Sequence, residues 1–138
     1  MSRPETNASV FLIELMISIL FFALCAAIVM RAFAGAQLMA QESAVLSRSV
    51  LEAESTAECY KAARGDLAQT AALYGGRLFG EDTLYVTFDA SWTQTAQDAS
   101  YILLVQRDQN GYAEIRVRAA ADSEENQTIY SITVKAVT

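Results

Sequence analysis

The sequence predicts an α+β fold in which a long N-terminal α-helix packs on a C-terminal antiparallel β-meander of about four strands. Three observations lead to this fold class. Residues 10–30 form an apolar run of membrane-spanning length. Residues 31–63 contain no proline and are rich in alanine, glutamate, leucine and glutamine, which favour a helix. The rest of the 138 residues alternates apolar and polar residues in short segments separated by turn signals.

The apolar run extends from Val10 to Met30 and is followed by Arg31. Its 21 residues carry one charge, Glu14, and one hydroxyl group, Ser18. About 20 apolar residues in a helix cross the hydrocarbon core of a bilayer. The run therefore predicts that the first half of the long helix is transmembrane.

Three interpretations of this run compete. A cleaved secretory signal has a shorter apolar core and a positively charged start, and here the helical pattern continues beyond the run. A plain single-pass anchor fits the length but gives Glu14 no role, although an ionisable group inside an apolar span is costly and usually has a partner. The third interpretation, a subunit that is cleaved before Val10 and packs beside other copies, gives Glu14 a partner: the charged α-amine of Val10 in a neighbouring copy.

The segment Val10-Phe11-Leu12-Ile13-Glu14-Leu15-Met16 resembles the prepilin motif of type IV pilins and of the pseudopilins of type II secretion. The resemblance is strong over residues 9–35. It implies that a prepilin peptidase cleaves between Ser9 and Val10 and that Val10 becomes N-methylated. It also implies that Glu14 sets the register of assembly. The same resemblance implies that one helix enters first the membrane and then the filament core. The residues that it assigns to this helix are Phe11, Leu12, Ile13, Leu15 and Met16.

The organisation that follows is a leader at 1–9, a transmembrane and filament-core helix at 10–30, and an amphipathic helix with a globular pilin-like head at 31–138. The chain departs from the family pattern in having Ser9 where glycine is usual, Val10 where phenylalanine is common, and no helix-kinking proline.

The function that the resemblance implies is that of a minor pilin or pseudopilin, a structural subunit of a type IV pilus, a type II secretion filament or a DNA-uptake filament. Its partners would be other pilin subunits, the prepilin peptidase and the membrane, with the leader in the cytoplasm and the head outside. The alternative is a single-pass, membrane-tethered extracellular binding module that does not polymerise.

The second part of the long helix, up to Ala63, shows apolar residues at intervals of seven and a polar face. Asp66 is predicted to cap a short helix that continues through Leu73, and Gly75-Gly76 to end it. The predicted apolar stripe contains Met39, Leu46, Ala53 and Tyr60, and the predicted polar face contains Glu42, Arg48, Glu52 and Glu54.

Four strands are predicted after these helices: Thr83–Asp89, Tyr101–Arg107, Tyr112–Ala119 and Thr128–Val137. The second of them is apolar on both faces and is predicted to be central, and Asn110-Gly111 predicts a tight turn. One face of this sheet has to be buried, and the later part of the long helix is the available cover. The apolar positions predicted to face it are Leu84, Val86, Phe88, Ile115 and Val117, with Tyr130, Ile132 and Val134 from the last strand.

The residues give no support for an enzyme, a cofactor or a metal site. The chain has no histidine, and we find no nucleotide-binding loop and no nucleophile motif. No basic patch is visible along the sequence, whose net charge is −6, so direct binding of nucleic acid is not predicted. The acidic turn 122–126 is read as solvated rather than as a calcium site. Trp92 is predicted to be a buried anchor. Cys25 and Cys59 are predicted to be buried and not to form a disulfide with each other.

Overall fold

We describe the fold from a computed structural model, which describes residues 4–120 and 127–137. The chain divides into two units, residues 1–43 and 44–138, and each is considered by itself. The acidic turn predicted at 122–126 lies outside the described residues. The elements in chain order are α1 (Pro4–Ala62), α2 (Leu67–Tyr74), β1 (Arg77–Phe79), β2 (Thr83–Phe88), β3 (Tyr101–Arg107), β4 (Tyr112–Ala119) and β5 (Thr128–Lys135).

Helix α1 has 59 residues and begins six residues earlier than predicted. The prediction placed its start at Val10 because the preceding residues are polar. A proline at the first helical position is tolerated, because its missing N–H would have no partner there. Extending an existing helix by a turn is also much easier than nucleating a new one, so a polar sequence does not stop it.

The predicted α+β fold class is confirmed. In the second unit, α1 packs on a five-stranded antiparallel sheet whose strand order, β1-β2-β3-β4-β5, is a simple meander. The strand β3 is central, as expected, and the four predicted strands are all present within two residues of their predicted ends. The additional strand β1 was missed because three residues are too few to show a period. It follows Gly75 and Gly76, both at positive φ.

The core lies between the sheet and the C-terminal part of α1. The apolar residues predicted to point inward from β2 and β4 are all at most 1% exposed, which confirms their assignment. On the helix, the buried positions are small: Ser49, Ala53, Thr56 and Ala57 are at most 3% exposed. The two buried hydroxyl groups donate to backbone carbonyls one turn earlier, Ser49 to Val45 at 2.8 Å and Thr56 to Glu52 at 2.7 Å. Small residues let the helix approach the sheet closely, while Tyr60 fills the space near the helix end.

The predicted apolar stripe of α1 is correct only in its second half. Ala53 and Tyr60 are fully buried, but Met39 is 73% exposed and Leu46 is 45% exposed. The sheet covers the helix from Ser49 onward, so the heptad pattern before that point has nothing in its own unit to pack against.

Helix α2 begins at its predicted cap. The Asp66 side chain accepts hydrogen bonds from the backbone N–H groups of Ala68 and Gln69. At the other end of α2, the Tyr74 hydroxyl donates to the Glu52 carboxylate of α1. Glu52 was predicted to belong to the polar face of α1, and the structure adds that its side chain is only 17% exposed. This bond ties α2 to α1.

Trp92 is half-buried and packs against the core, as the anchor interpretation requires. Its ring stacks on Tyr101 with centroids 4.2 Å apart and planes 8° from parallel, and it lies 5.7 Å from the Phe88 ring. We call the second unit, residues 44–138, the head. As the single tryptophan of the chain, Trp92 is a fluorescent reporter of packing in the head.

We predict that Tyr74→Phe lowers the free energy of unfolding of the head by about 1–3 kcal/mol, because the Glu52 carboxylate loses a hydrogen-bond donor in a half-buried place. Chemical denaturation of the full chain in detergent, followed by Trp92 fluorescence, measures this. Tyr112→Phe is the matched control, since Tyr112 is 43% exposed and is expected to change stability by less than about 0.5 kcal/mol. Equal effects of the two changes contradict a role for the Tyr74–Glu52 bond.

The same bond predicts a pH dependence at high pH. Burial, and then the hydrogen bond to Glu52, raise the pKa of Tyr74 above its ordinary value. A raised pKa in the folded state means that this contribution to stability is complete below the unfolded pKa of about 10 and is lost as the pH rises further. The denaturation midpoint of the native chain should fall more steeply above pH 10 than that of Tyr74→Phe, and parallel curves would exclude this effect.

Candidate functional site: the exposed apolar segment of helix α1

The first unit presents an uncovered apolar surface. Every residue from 7 to 44 is exposed in the structure. The segment within α1 is long enough and apolar enough to cross a membrane, judged by length and composition, and none of its most apolar window is buried. At about 1.5 Å per residue, residues 10–30 span about 30 Å, the thickness of a hydrocarbon core.

The apolar side chains at the start of this segment point to all sides of the helix. Because successive residues are about 100° apart, five neighbouring apolar residues cannot share one face. All of them are at least 46% exposed: Phe11 63%, Leu12 58%, Ile13 56%, Leu15 46% and Met16 70%. A helix that is apolar all round is typical of a membrane span or of the centre of a helix bundle.

The predicted processing site lies within this helix. Ser9 and Val10 are exposed, and both have helical backbone that is continuous with the segment after them. Val10 and Glu14 are four residues apart, so they occupy the same face about 6 Å apart along the axis. Glu14 is exposed, and no ion pair joins it to any residue of the described part of the chain.

The polar groups of the segment share one face. Taking about 100° per residue, Glu14, Ser18 and Cys25 fall within about 40° of each other around the axis. Hydroxyl and carboxyl groups inside a membrane span face other helices rather than lipid, because lipid offers them no partner. The face that contains Glu14 is therefore the candidate surface for contact with other helices.

Charges mark the ends of the uncharged part of the helix. Between Glu14 and Arg31 lie sixteen residues without charge, about 24 Å of helix. Glu14 thus lies one turn after Val10, near one end of the apolar segment, and Arg31 closes the other end. If residues 10–30 cross a bilayer, this spacing positions the carboxylate close to one boundary of the hydrocarbon layer rather than at its centre.

The two cysteines are free, and one prediction about them fails. Cys25 is exposed on the first unit, and Cys59 is half-buried on the second. The expectation that both are buried is wrong for Cys25, which is exposed like every other residue from 7 to 44.

A charged cleft lies in the head at the end of α1. It is lined by Arg64, Arg107 and Lys135, with Asp82 and Asp108. Arg107 is held by structural contacts, since it donates to the Asp82 carboxylate at 2.8 and 3.2 Å and to the Gly65 carbonyl at 3.1 Å. Within residues 4–120 and 127–137, no cluster of three or more acidic or sulfur-bearing side chains is arranged to hold a metal ion.

Comparison of the chain with protein-family models, with curated proteins and with solved structures finds no match.

We predict that a charge in the middle of the segment weakens membrane insertion. Leu20→Arg puts a guanidinium near the centre of the span, where it costs about 2.5–3.5 kcal/mol. After alkaline carbonate washing of membranes, the native chain should remain in the pellet, and more of Leu20→Arg should appear in the supernatant. Leu46→Arg, at an exposed position of α1 outside residues 10–30, is the matched control and should stay in the pellet. Retention of all three forms contradicts the assignment of the span.

Proposed function

We propose that this protein is a structural subunit of a membrane-derived helical filament of the type IV pilin or pseudopilin kind. The observation that carries the proposal is the segment 10–30: a helix that is apolar and exposed on every side, with a single carboxylate, Glu14, four residues after Val10. The uncovered apolar surface requires either lipid or other helices around it. A filament subunit uses both in turn, first as a membrane anchor and then in the filament core.

The role proposed for Glu14 is to set the axial register between neighbouring subunits. An isolated carboxylate in an apolar environment is expensive, and a nearby cation offsets much of that cost. The described residues offer Glu14 no such cation. Cleavage between Ser9 and Val10 would create a charged α-amine at the level of Glu14 in a neighbouring helix. A subunit in the wrong axial position would leave both charges unpaired.

The resemblance to the prepilin motif adds the remaining parts of the proposal. A prepilin peptidase removes residues 1–9 and Val10 is N-methylated, with the leader on the cytoplasmic side and the head outside. The filament is a type IV pilus, a type II secretion pseudopilus or a DNA-uptake pseudopilus, and the subunit is a minor one. Its action is assembly rather than catalysis: the apolar helices pack at the axis and the heads lie at the outside.

A membrane-tethered binding module that does not polymerise is the second candidate. The observation that favours it is the continuity of α1 from Pro4 through Ser9 into the apolar segment, which is also how an uncleaved anchor would look. Ser9 also replaces the glycine that usually precedes the cleaved bond in the prepilin motif. In this case residues 1–9 stay attached and Glu14 remains near the membrane surface.

The mass of the membrane-extracted protein distinguishes the two candidates. We expect the mature chain to begin at Val10 and to carry one additional methyl group when a prepilin peptidase is present. Ser9→Gly restores the usual residue before the bond and should be cleaved at least as completely, whereas Ser9→Lys should remain intact. A native chain that keeps its leader in the presence of the peptidase favours the tethered module.

For the register, we expect Glu14→Ala to insert into the membrane and to be processed, but to fail to enter filaments. Glu14→Gln removes the charge and keeps the shape, so it should fail as well, while Glu14→Asp should assemble partly. Glu42→Ala is the matched control, because Glu42 is an exposed glutamate of the same helix outside the apolar segment. The readout is the ratio of the variant in sheared filaments to that in membranes. Normal incorporation of Glu14→Gln would remove the electrostatic role assigned to Glu14.

A further inference from the structure

The sheet has a second face, opposite to the one that α1 covers, and this outer sheet face is basic. Strand register places Arg77, Arg116, Arg118 and Lys135 on it, at positions that alternate with the buried residues. Its only acidic residue among those described is Glu114. A face with four cations and one carboxylate is unexpected in a chain whose net charge is −6. The sequence did not reveal it because the four residues come from three different strands.

One of these cations is already engaged. Arg116 binds Glu114 through two hydrogen bonds, from its Nε to Oε1 at 2.7 Å and from an Nη to Oε2 at 2.6 Å. The amine of Lys135 lies 5.0 Å from the centre of the Tyr112 ring. In the described parts of the chain, no carboxylate is within ion-pair distance of Arg77, Arg118 or Lys135. Among the described residues these three charges have no carboxylate partner.

The middle of the outer sheet face is apolar. Tyr85 and Leu104 are neighbours across β2 and β3 in the same row as Arg77 and Arg116, and Ile102 lies in the next row. These three side chains are half-buried, while Phe79 at the sheet edge is 74% exposed and meets the Tyr85 ring edge-on, with centroids 6.1 Å apart. An apolar and aromatic centre bordered by arginines is the composition of a protein-binding surface.

The charge around this face decides between an acidic protein and a long polyanion. A nucleic acid or polysaccharide chain would extend beyond the face and meet the rest of a head that is acidic. Charges act over about 8 Å at physiological salt, so that repulsion would be felt immediately outside the face. A short acidic patch bordered by apolar residues would match the face and avoid the repulsion.

We propose that the outer sheet face is a docking surface for an acidic, partly apolar patch of a partner protein. The face covers roughly 400 Å², taking five strands about 4.8 Å apart and about five residues of about 3.3 Å along each. A stable complex buries about 800 Å² on each side, so this contact is weak and transient. Within the second unit the face lies on the side of the sheet opposite to α1. The proposed assembly contacts are made by residues 10–30 and do not use this face; this last step rests on the proposed function.

The test uses the full chain in nanodiscs of phosphatidylcholine, which carry no net charge, and a random library of 12-residue peptides depleted on empty nanodiscs. We expect the selected peptides to combine Asp or Glu with aromatic or aliphatic residues. Their affinity should fall about tenfold for Arg77→Glu/Arg118→Glu, as expected when attractive charges become repulsive. Phe79→Ser should weaken binding and reduce the apolar content of the selected peptides.

The control, Lys61→Glu/Gln41→Glu/Gln69→Glu, changes the net charge by the same amount at exposed positions of the two helices and should bind like the native chain. Trp92 fluorescence verifies that each variant is folded. Selected peptides that are not acidic, or that bind the face variant and the control equally, overturn the proposal. A 20-nucleotide oligothymidylate that binds more tightly than the selected peptides, and whose binding is lost in the face variant, overturns the proposal in favour of nucleic acid. Because the assay involves neither cleavage nor assembly, its failure leaves the proposed filament function untouched.

Discussion

The structure depends on one constraint: an apolar helix surface that water cannot accommodate and that no other part of the described chain covers. Residues 10–30 expose apolar side chains around the whole circumference of the helix, so folding of the single chain leaves this surface uncovered. At about 25 cal/mol per Å² of apolar area, the cost of leaving such a helix in water is far larger than the stability of a small domain. Its environment must therefore come from a bilayer or from other helices. In the proposed filament, the single carboxylate within it, Glu14, sets the axial register of the neighbouring helices.

The head has a hydrophobic core to which the apolar segment contributes no residue. The part of α1 that lies on the sheet uses small residues at the contact, which bring the helix close, and Tyr60 near the helix end. A second tie comes from Tyr74 and Glu52, which join α2 to α1. The head therefore has a core of its own, and the apolar segment is free of any role in it. This division allows one end of the chain to change environment while the other stays folded.

How much the sequence predicts depends on how local the signal is. The cap at Asp66, the turn at Gly111 and the alternating strands were all predicted correctly, because each follows from neighbouring residues alone. The failures concern long-range contacts. The heptad of α1 could not reveal where the sheet begins to cover the helix. The polar pattern around Glu52 could not reveal that Tyr74 of α2 lies beside its carboxylate. The basic outer sheet face depends on which strands pair with each other, and this pairing cannot be deduced from any single segment.

The candidate site was predicted as a segment, and the structure adds its exposure and its geometry. Sequence spacing alone positions Glu14 one turn after Val10, and the structure shows that the segment around them is helical and uncovered. Cys25 was the misjudged residue, because a thiol in an apolar run looks like a core residue when the run is assumed to be buried. In the proposed filament the partner of Glu14 belongs to another molecule, so the sequence and fold of one chain do not contain it.

The most direct test of the account is to ask which amine lies beside Glu14. Filaments or membranes that contain a mixture of unlabelled and ¹⁵N-labelled copies are treated with dicyclohexylcarbodiimide, a lipid-soluble reagent that joins a carboxylate to an adjacent amine without a spacer. We expect a cross-linked peptide in which Glu14 of one copy is bonded to the α-amine of Val10 of another, with mixed isotope labels. Copies that retain residues 1–9 and carry no such cross-link would contradict it.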